Sequence, residues 1–265
     1  DIKKAVYYLT LSANQNQTDA QCVLGFIYSK KEYGLYDNEK AIHYLSLAAD
    51  QNNINAQYFI GKIYLNEKFI PRDVQNGIRY LTSAADHNHL EAQYILGIHY
   101  IDGKLIPRDV KKGIHYLTSA ADQNLLEAQF SLGTLYVNKM FIPINLQKGI
   151  LYLELAAGQN HRKAQSNLGT LYLKGDLIQR DINKAIHYLT LAANQNDSNA
   201  QVNLGVIYSK REFNRLDIDK AIHFLTLAVN QNDSNAKFNL GIIYLGSEFN
   251  RLDIDKGIYF LTLAA

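Results

Sequence analysis

The sequence predicts an all-α fold, an αα-solenoid of seven 36-residue helix-pair repeats followed by a partial eighth. One observation behind this prediction is a period of 36 residues that runs through the 265-residue chain without insertion or deletion. Another is that each repeat holds two stretches whose apolar residues recur at steps of three and four, as on one face of an α-helix. The repeats begin at residues 1, 37, 73, 109, 145, 181, 217 and 253. We expect residues 1–265 to form a single array, since each repeat of a solenoid packs on its neighbours.

The first helix of a repeat is clear in the copy that begins at Asp181. Apolar residues from Ile182 to Ala193 lie on one helical stripe, and Asp181 precedes them as an N-cap whose carboxylate can accept from free backbone N–H groups. We expect this helix to end near Asn196, because Asn is second only to Gly in tolerating the left-handed conformation of many helix ends. The same residue type recurs in every complete repeat, as Asn16, Asn52, Asn88, Asn124, Asn160, Asn196 and Asn232.

The second helix of the same copy should begin near Ser198 and carries Leu204, Gly205 and Tyr208 on one face. A Gly inside a helix costs about 1 kcal/mol relative to Ala, so its recurrence predicts close approach of an adjacent helix. The Tyr three residues later should fill the space between helices and form a hydrogen bond through its hydroxyl. The glycines at this position are Gly25, Gly61, Gly97, Gly133, Gly169, Gly205 and Gly241.

Composition excludes several broad classes. The chain is 47% hydrophobic and 20% charged with a net charge of +2, which gives no bias toward nucleic acid. No apolar stretch approaches the 18 or so residues of a membrane span, so we expect no membrane insertion. Cys22 is the only cysteine, which excludes an intrachain disulfide, and with no visible signal peptide we expect a cytoplasmic protein. Because the chain lacks an initial Met and stops within a repeat at Ala265, we interpret it as a fragment of a longer protein.

One motif carries a family resemblance. The spacing A-x-x-x-L-G-x-x-Y, a short loop, then D-x-x-K-A/G-x-x-Y/F-x-x-x-A-A resembles the Sel1-like repeat family, which is TPR-like. One copy reads Ala128, Leu132, Gly133, Tyr136, Asn145, Lys148, Gly149, Tyr152, Ala156 and Ala157. The resemblance implies antiparallel helix pairs stacked in a right-handed superhelix, with the second helices lining the concave side. It also implies a scaffold or adaptor role in signalling or protein quality control.

The sequence favours neither a metal site nor an active site. His43, His115, His187 and His223 share one repeat position, which places them at least about 8–10 Å apart in stacked helices. Zinc requires ligand nitrogens about 2 Å from the metal, so we expect no metal and no cofactor. Ser234, Asn235, Ala236 and Lys237 match the S-x-x-K motif of penicillin-recognising enzymes, but the S-D-N and K-T-G partners are absent. We therefore predict that the chain is not an enzyme.

A partner protein or peptide is expected on the concave face. The second helices of the first three repeats carry large apolar residues there, whereas later repeats carry an Asn ladder, whose amides could pair with an extended backbone. The candidates are Val23, Phe26, Phe59, Lys62, Ile95, Ile98, Ser131, Thr134, Asn167, Thr170, Asn203 and Asn239. In the alternative interpretation, the apolar residues pack on neighbouring helices and the Asn residues only belong to the repeating unit.

The leading hypothesis is a non-enzymatic scaffold that binds a peptide or protein segment. The second is a regulatory or targeting arm of a larger enzyme whose catalytic domain lies outside this chain. A third is an enzyme in its own right. The sequence does not identify the partner or the oligomeric state.

Overall fold

The computed structural model describes residues 1–66, 73–138, 143–246 and 252–265, which form 15 α-helices and, within these ranges, no strand. The helices are α1 (Ile2–Asn14), α2 (Thr18–Ser29), α3 (Asn38–Asp50), α4 (Ile54–Leu65), α5 (Val74–Asp86), α6 (Leu90–Asp102), α7 (Val110–Asp122), α8 (Leu126–Val137), α9 (Leu146–Gly158), α10 (Arg162–Lys174), α11 (Ile182–Asn194), α12 (Ser198–Ser209), α13 (Ile218–Val229), α14 (Ser234–Leu245) and α15 (Ile254–Ala264). Odd-numbered helices are the first helices of the repeats and even-numbered helices are the second. The predicted all-α helix-pair architecture is confirmed.

Both ends of the first helix are fixed by local side chains, as predicted. The Asp181 Oδ1 atom accepts from the Lys184 backbone N–H at 2.9 Å, and every first helix has an equivalent N-cap. Asn145 takes this role in α9, at 3.1 Å from the Lys148 nitrogen. At the other end, Asn196 adopts a left-handed conformation with φ of 63°. The equivalent Asn of each complete repeat has φ between 62° and 65°, so this repeat position turns the chain from the first helix to the second.

The helices contact one another within two compact units, Asp1–Leu132 (unit 1) and Gly133–Ala265 (unit 2). In unit 1, α2 packs on α3, α4 on α5 and α6 on α7. In unit 2, α10 packs on α11, α12 on α13 and α14 on α15. In each of these six pairs the second helix of one repeat packs on the first helix of the following repeat. Small residues and leucines form these interfaces, and Leu45, Leu81, Leu189 and Leu225 are fully buried in them.

The recurring Tyr stands in the same interfaces, as predicted. The rings of Tyr172 and Tyr188 are stacked with centroids 6.1 Å apart, and four further repeats hold an equivalent Tyr–Tyr pair. Lys184 Nζ lies 4.9 Å from the Tyr172 centroid and donates to its hydroxyl at 3.4 Å. In α3, α7, α9, α11, α13 and α15 the lysine three residues after the N-cap thus covers the edge of the interface with its aliphatic stem and places its ammonium over the ring.

Candidate functional site

The candidate residues lie on the second helices, and within each unit we call the surface that they form the second-helix face. Within unit 1, α2 contacts α4, and within unit 2, α10 contacts α12 and α12 contacts α14, so this face is continuous between those neighbours. Val23 and Lys62 are exposed. The other ten candidates are half-buried: Phe26, Phe59, Ile95, Ile98, Ser131, Thr134, Asn167, Thr170, Asn203 and Asn239.

Aromatic rings form a continuous row across unit 1. The Phe26 and Phe59 rings, from adjacent repeats, have centroids 4.9 Å apart. Tyr33 extends the row on one side, with its centroid 6.3 Å from that of Phe26. On the other side, Tyr58 lies 5.2 Å from Phe59 and stacks on His89 at 4.2 Å. The structure therefore brings together two apolar candidates that are 33 positions apart in the sequence.

Packing between helices uses part of the apolar surface that the sequence offered for a partner. Phe59 packs against the core around Leu45 and Ile60, and Ile95 packs against the core around Leu96. Val23, which is 43% exposed, has the most open apolar side chain among the candidates. One side of Phe59 and of Ile95 therefore packs between helices, as in the alternative interpretation of the apolar candidates. The other side of each residue is exposed on the second-helix face.

Two lysines border a cleft beside the aromatic row. The cleft has a volume of about 240 Å³, and its lining consists of Ser29, Lys30, Phe59, Lys62, Ile63 and Asn66. Lys62 Nζ donates to the Tyr58 hydroxyl at 3.1 Å, and Lys30 Nζ lies 5.3 Å from the Phe26 centroid. Neither ammonium forms an ion pair with a carboxylate in the described part of the chain. The cleft combines an aromatic wall with two positive charges.

Unit 2 carries a larger and more polar cleft on its own second-helix face. Its volume is about 530 Å³, and its lining consists of Val137, Ser166, Asn167, Thr170, Leu171, Lys174, Asp176, Leu177, Asn199 and Asn203. Hydrogen bonds fix one wall: Thr170 Oγ1 donates to the Ser166 carbonyl at 2.9 Å, and Ser166 Oγ donates to Asp197 at 2.9 Å. Three candidates, Asn167, Thr170 and Asn203, therefore meet in one concavity.

The Asn ladder is not a row of equivalent amides. Asn203 Nδ2 donates to Thr170 Oγ1 at 3.1 Å, and Asn239 Nδ2 donates to the Asn235 carbonyl of its own helix at 2.8 Å. Asn167 forms no side-chain hydrogen bond to another described residue. Residue type alone could not distinguish these states, because Asn203 bonds to a residue of the adjacent repeat whereas Asn239 bonds within its own helix. Asn167 has the amide that is open to a partner.

Ser131 and Thr134 lie on α8, and both are half-buried. Thr134 Oγ1 is buried and has no hydrogen-bond partner within the described ranges. A covered hydroxyl cannot contact a partner unless its side chain first rotates. The Thr134 hydroxyl is therefore not part of the accessible face.

Most second helices carry a Gln whose structural role could not be predicted from its residue type. Gln165 Nε2 donates to the Ala157 carbonyl at 3.1 Å, and its Oε1 accepts from Gln195 Nε2 of the next repeat at 2.7 Å. The first of these bonds recurs at Gln21, Gln57, Gln93, Gln129 and Gln201. Lys237 occupies this position in the last complete repeat and donates instead to Asn232. The lysine of the S-x-x-K match is therefore a nearly buried side chain that donates to a residue beside a helix end.

The remaining histidine, cysteine and acidic residues do not have the geometry of a metal site within the described ranges. No three His, Cys, Asp or Glu side chains come close enough there to hold a metal ion. The four histidines that share a repeat position are all exposed. Burial raises the pKa of the Cys22 thiol to about 11, with a smaller contribution from Asp19, so the thiol is protonated at neutral pH. Across those ranges, no helix has the length and apolarity needed to cross a bilayer.

Comparisons with known proteins match the whole chain. The family model described as Sel1 repeat matches residues 1–17, 18–53, 54–89, 90–125, 126–161, 162–197, 198–233 and 234–265. Its copies begin at the second helix, half a repeat away from our numbering, and have the same period. No curated protein matches the chain.

Two solved structures show the same fold. The structure of a Sel1 repeat protein from Oxalobacter formigenes superposes with a TM-score of 0.69 at 25% sequence identity, over 88% of this chain and 95% of that chain. The structure of c5321, a protective antigen of uropathogenic Escherichia coli with an SLR fold, superposes with a TM-score of 0.59. That match has 22% identity and covers 100% of this chain and 64% of the antigen.

Proposed function

Because the chain belongs to the Sel1 repeat family, an α-solenoid family that is typically non-catalytic and generally serves as a protein-interaction scaffold, we propose that it is a non-enzymatic scaffold that binds segments of partner proteins on its second-helix face. The observation that carries this proposal is the Phe26–Phe59 contact beside an open cleft. Binding energy at protein interfaces concentrates in a few large, partly preformed anchors, and aromatic rings are enriched among them.

In unit 1, Phe59 is the central anchor. Its ring is held on one side by Phe26 and Tyr58 and faces the cleft on the other, so little side-chain entropy remains to be lost on binding. Val23 adds exposed apolar surface on the helix that carries Phe26. An apolar side chain of a partner would lose water on contact with this surface at no cost in protein reorganisation.

In unit 2, the cleft suits an extended backbone. Asn167 and Asn199 line it, and neither side chain forms a hydrogen bond to another described residue. Each amide can donate to a backbone carbonyl and accept from a backbone N–H, which matches the alternating groups of an extended peptide. Asn203 offers its oxygen and one N–H group, because its other N–H group is directed to Thr170.

The proposal is tested with peptides selected on the 265-residue chain from a random 12-residue library. Phe59→Ala should weaken the unit 1 peptides about fivefold or more, and Asn167→Ala should weaken the unit 2 peptides about threefold to tenfold. Matched controls are Tyr7→Ala, which removes an exposed aromatic from a first helix of unit 1, and Asn194→Ala, which removes an exposed amide from a first helix of unit 2.

Circular dichroism and thermal unfolding establish that each variant is folded. Selected peptides that bind both face variants with wild-type affinity would move the site away from this face. Failure to select any peptide would contradict the proposed function itself.

A further inference from the structure

The cleft beside the aromatic row has a chemistry that selects its occupant. We propose that it binds an acidic residue adjacent to an apolar residue in a segment of a partner protein, with the apolar side chain on Phe59 and the carboxylate held by Lys30 and Lys62. This inference rests on the proposed function and names the partner chemistry of unit 1.

The electrostatic situation of the two lysines differs from that of Lys40, which lies at a repeat interface. Lys40, in the same unit, pairs with the Asp37 carboxylate at 3.1 Å. Lys30 and Lys62 form no ion pair with any described carboxylate, although both line one cleft. The single acid of α2, Asp19, accepts from Asn53 at 3.0 Å, and α4 contains no acid. A carboxylate supplied by a partner would therefore meet two ammonium groups that form no ion pair among the described residues.

The ammonium groups are positioned before a partner arrives. Lys62 Nζ is fixed by the Tyr58 hydroxyl at 3.1 Å and lies 5.0 Å from the Tyr58 ring centroid. Lys30 Nζ lies 5.3 Å from the Phe26 centroid. An ammonium has three N–H donors, so the Tyr58 bond leaves two on Lys62 for a carboxylate. Positioning by the rings lowers the side-chain entropy that each lysine loses on forming an ion pair.

The size of the cleft favours protein side chains over a small-molecule ligand. Ligand pockets span about 300–1,000 Å³ and enclose most of the ligand. The unit 1 cleft has about 240 Å³ and is open on one side, which accommodates one apolar side chain and the carboxylate of its neighbour.

A single-stranded nucleic acid would also bring negative charge and would require exposed ring faces for stacking. Phe26 and Phe59 are half-buried and their rings are tilted at 44° to each other, so they do not present free parallel ring faces on which bases could stack. The net charge of +2 adds no basic tract along a backbone. The observations therefore favour a protein segment.

The test is peptide selection from the random 12-residue library on three forms of the full 265-residue chain. These are the wild type, the double variant Lys30→Glu/Lys62→Glu, and the charge-matched control Lys4→Glu/Lys111→Glu, which changes two exposed lysines on first helices of unit 1. Wild type and control should enrich Asp or Glu next to Leu, Ile or Phe. The double variant should enrich Lys or Arg in that place, because the charge of its cleft is reversed.

Affinity measurements complete the test. The strongest acidic peptide should lose about tenfold in affinity on the double variant and keep its affinity on the control, and its binding to the wild type should weaken as salt is raised. Circular dichroism checks that the variant is folded; an unfolded double variant is replaced by Lys30→Gln/Lys62→Gln, for which the acidic enrichment should disappear.

Three results would overturn the inference in distinguishable ways. Peptides that depend on Phe59 but show no acidic enrichment would leave the proposed function intact and remove this inference. Binding of a labelled 12-nucleotide single strand that is lost in the double variant, without acidic peptide enrichment, would assign the cleft to nucleic acid. Selection of no peptide at all would contradict both the inference and the proposed function.

Discussion

Gly169 on α10 lies so close to Leu189 on α11 that a Cβ atom at residue 169 would be 2.5 Å from the Leu189 Cγ atom and 3.0 Å from its backbone nitrogen. Equivalent contacts join Gly25 to Leu45, Gly61 to Leu81 and Gly205 to Leu225. The absence of a side chain at this position thus sets how closely successive repeats pack within each unit.

Gly169→Ala should destabilise the protein by about 1–3 kcal/mol, because the backbone of α11 would have to shift to relieve the clash. The matched control is Gly158→Ala near the end of α9, where an added Cβ meets nothing within 4 Å. That change should raise stability by up to about 1 kcal/mol through helix propensity. Urea unfolding measures both, and a stabilising effect of Gly169→Ala would show that the interface is not closely packed.

Gln195→Ala should cost about 1–3 kcal/mol, since it leaves the buried Gln165 Oε1 atom without the donor that lies 2.7 Å away. Gln123→Ala is the same change at the same repeat position, but Gln123 donates to the Ser119 carbonyl and the Oε1 atom of Gln93 already lacks a described partner. Gln123→Ala should therefore lower the free energy of unfolding by less than about 0.5 kcal/mol. Equal losses in thermal or urea unfolding would contradict a role for the bond between repeats.

Lys237→Gln should stabilise unit 2 by about 1 kcal/mol. The lysine side chain is nearly buried, and a Gln could instead donate to the Val229 carbonyl, eight residues earlier, as Gln201 does to Ala193. The reciprocal change Gln201→Lys should destabilise. If unfolding experiments showed both changes to be neutral, the repeat position would tolerate either side chain.

Acid should weaken the fold through the N-caps. Backbone hydrogen bonds lower the pKa of Asp37, Asp73, Asp217 and Asp253 below the ordinary value of 3.8. A lowered folded-state pKa gives stability that is present above the ordinary value and is lost as the pH falls through the folded value. We therefore expect the urea midpoint to fall as the pH drops below about 4.

Replacement of all four aspartates by Asn should reduce this acid sensitivity, because Asn caps a helix about as well as Asp and does not titrate; Asn145 already does so in α9. A matched variant with Glu32, Glu127, Asp176 and Glu212 changed to their amides keeps the four N-caps and should retain the sensitivity. An unchanged acid response in the N-cap variant would assign it to other groups.

The period, the helix boundaries and the turn residues were determined by the sequence because each depends on interactions within a few residues. Asp181 caps a helix through an N–H group three positions later, and Asn196 turns the chain through its own left-handed φ. The glycine that recurs in every second helix indicated close helix approach for a similar reason. Its repeated cost in helix stability requires a compensating contact. Membership of a solenoid followed from the repetition of these local signals.

Tertiary structure alone decided what the second-helix face offers. Phe26 and Phe59 form one aromatic wall, Lys30 and Lys62 share a cleft, and the amide of Asn203 is engaged while that of Asn167 is open. Each of these facts is a distance between side chains of different repeats. Such distances depend on how closely neighbouring helices pack and which rotamers remain free, and a single repeat does not encode them.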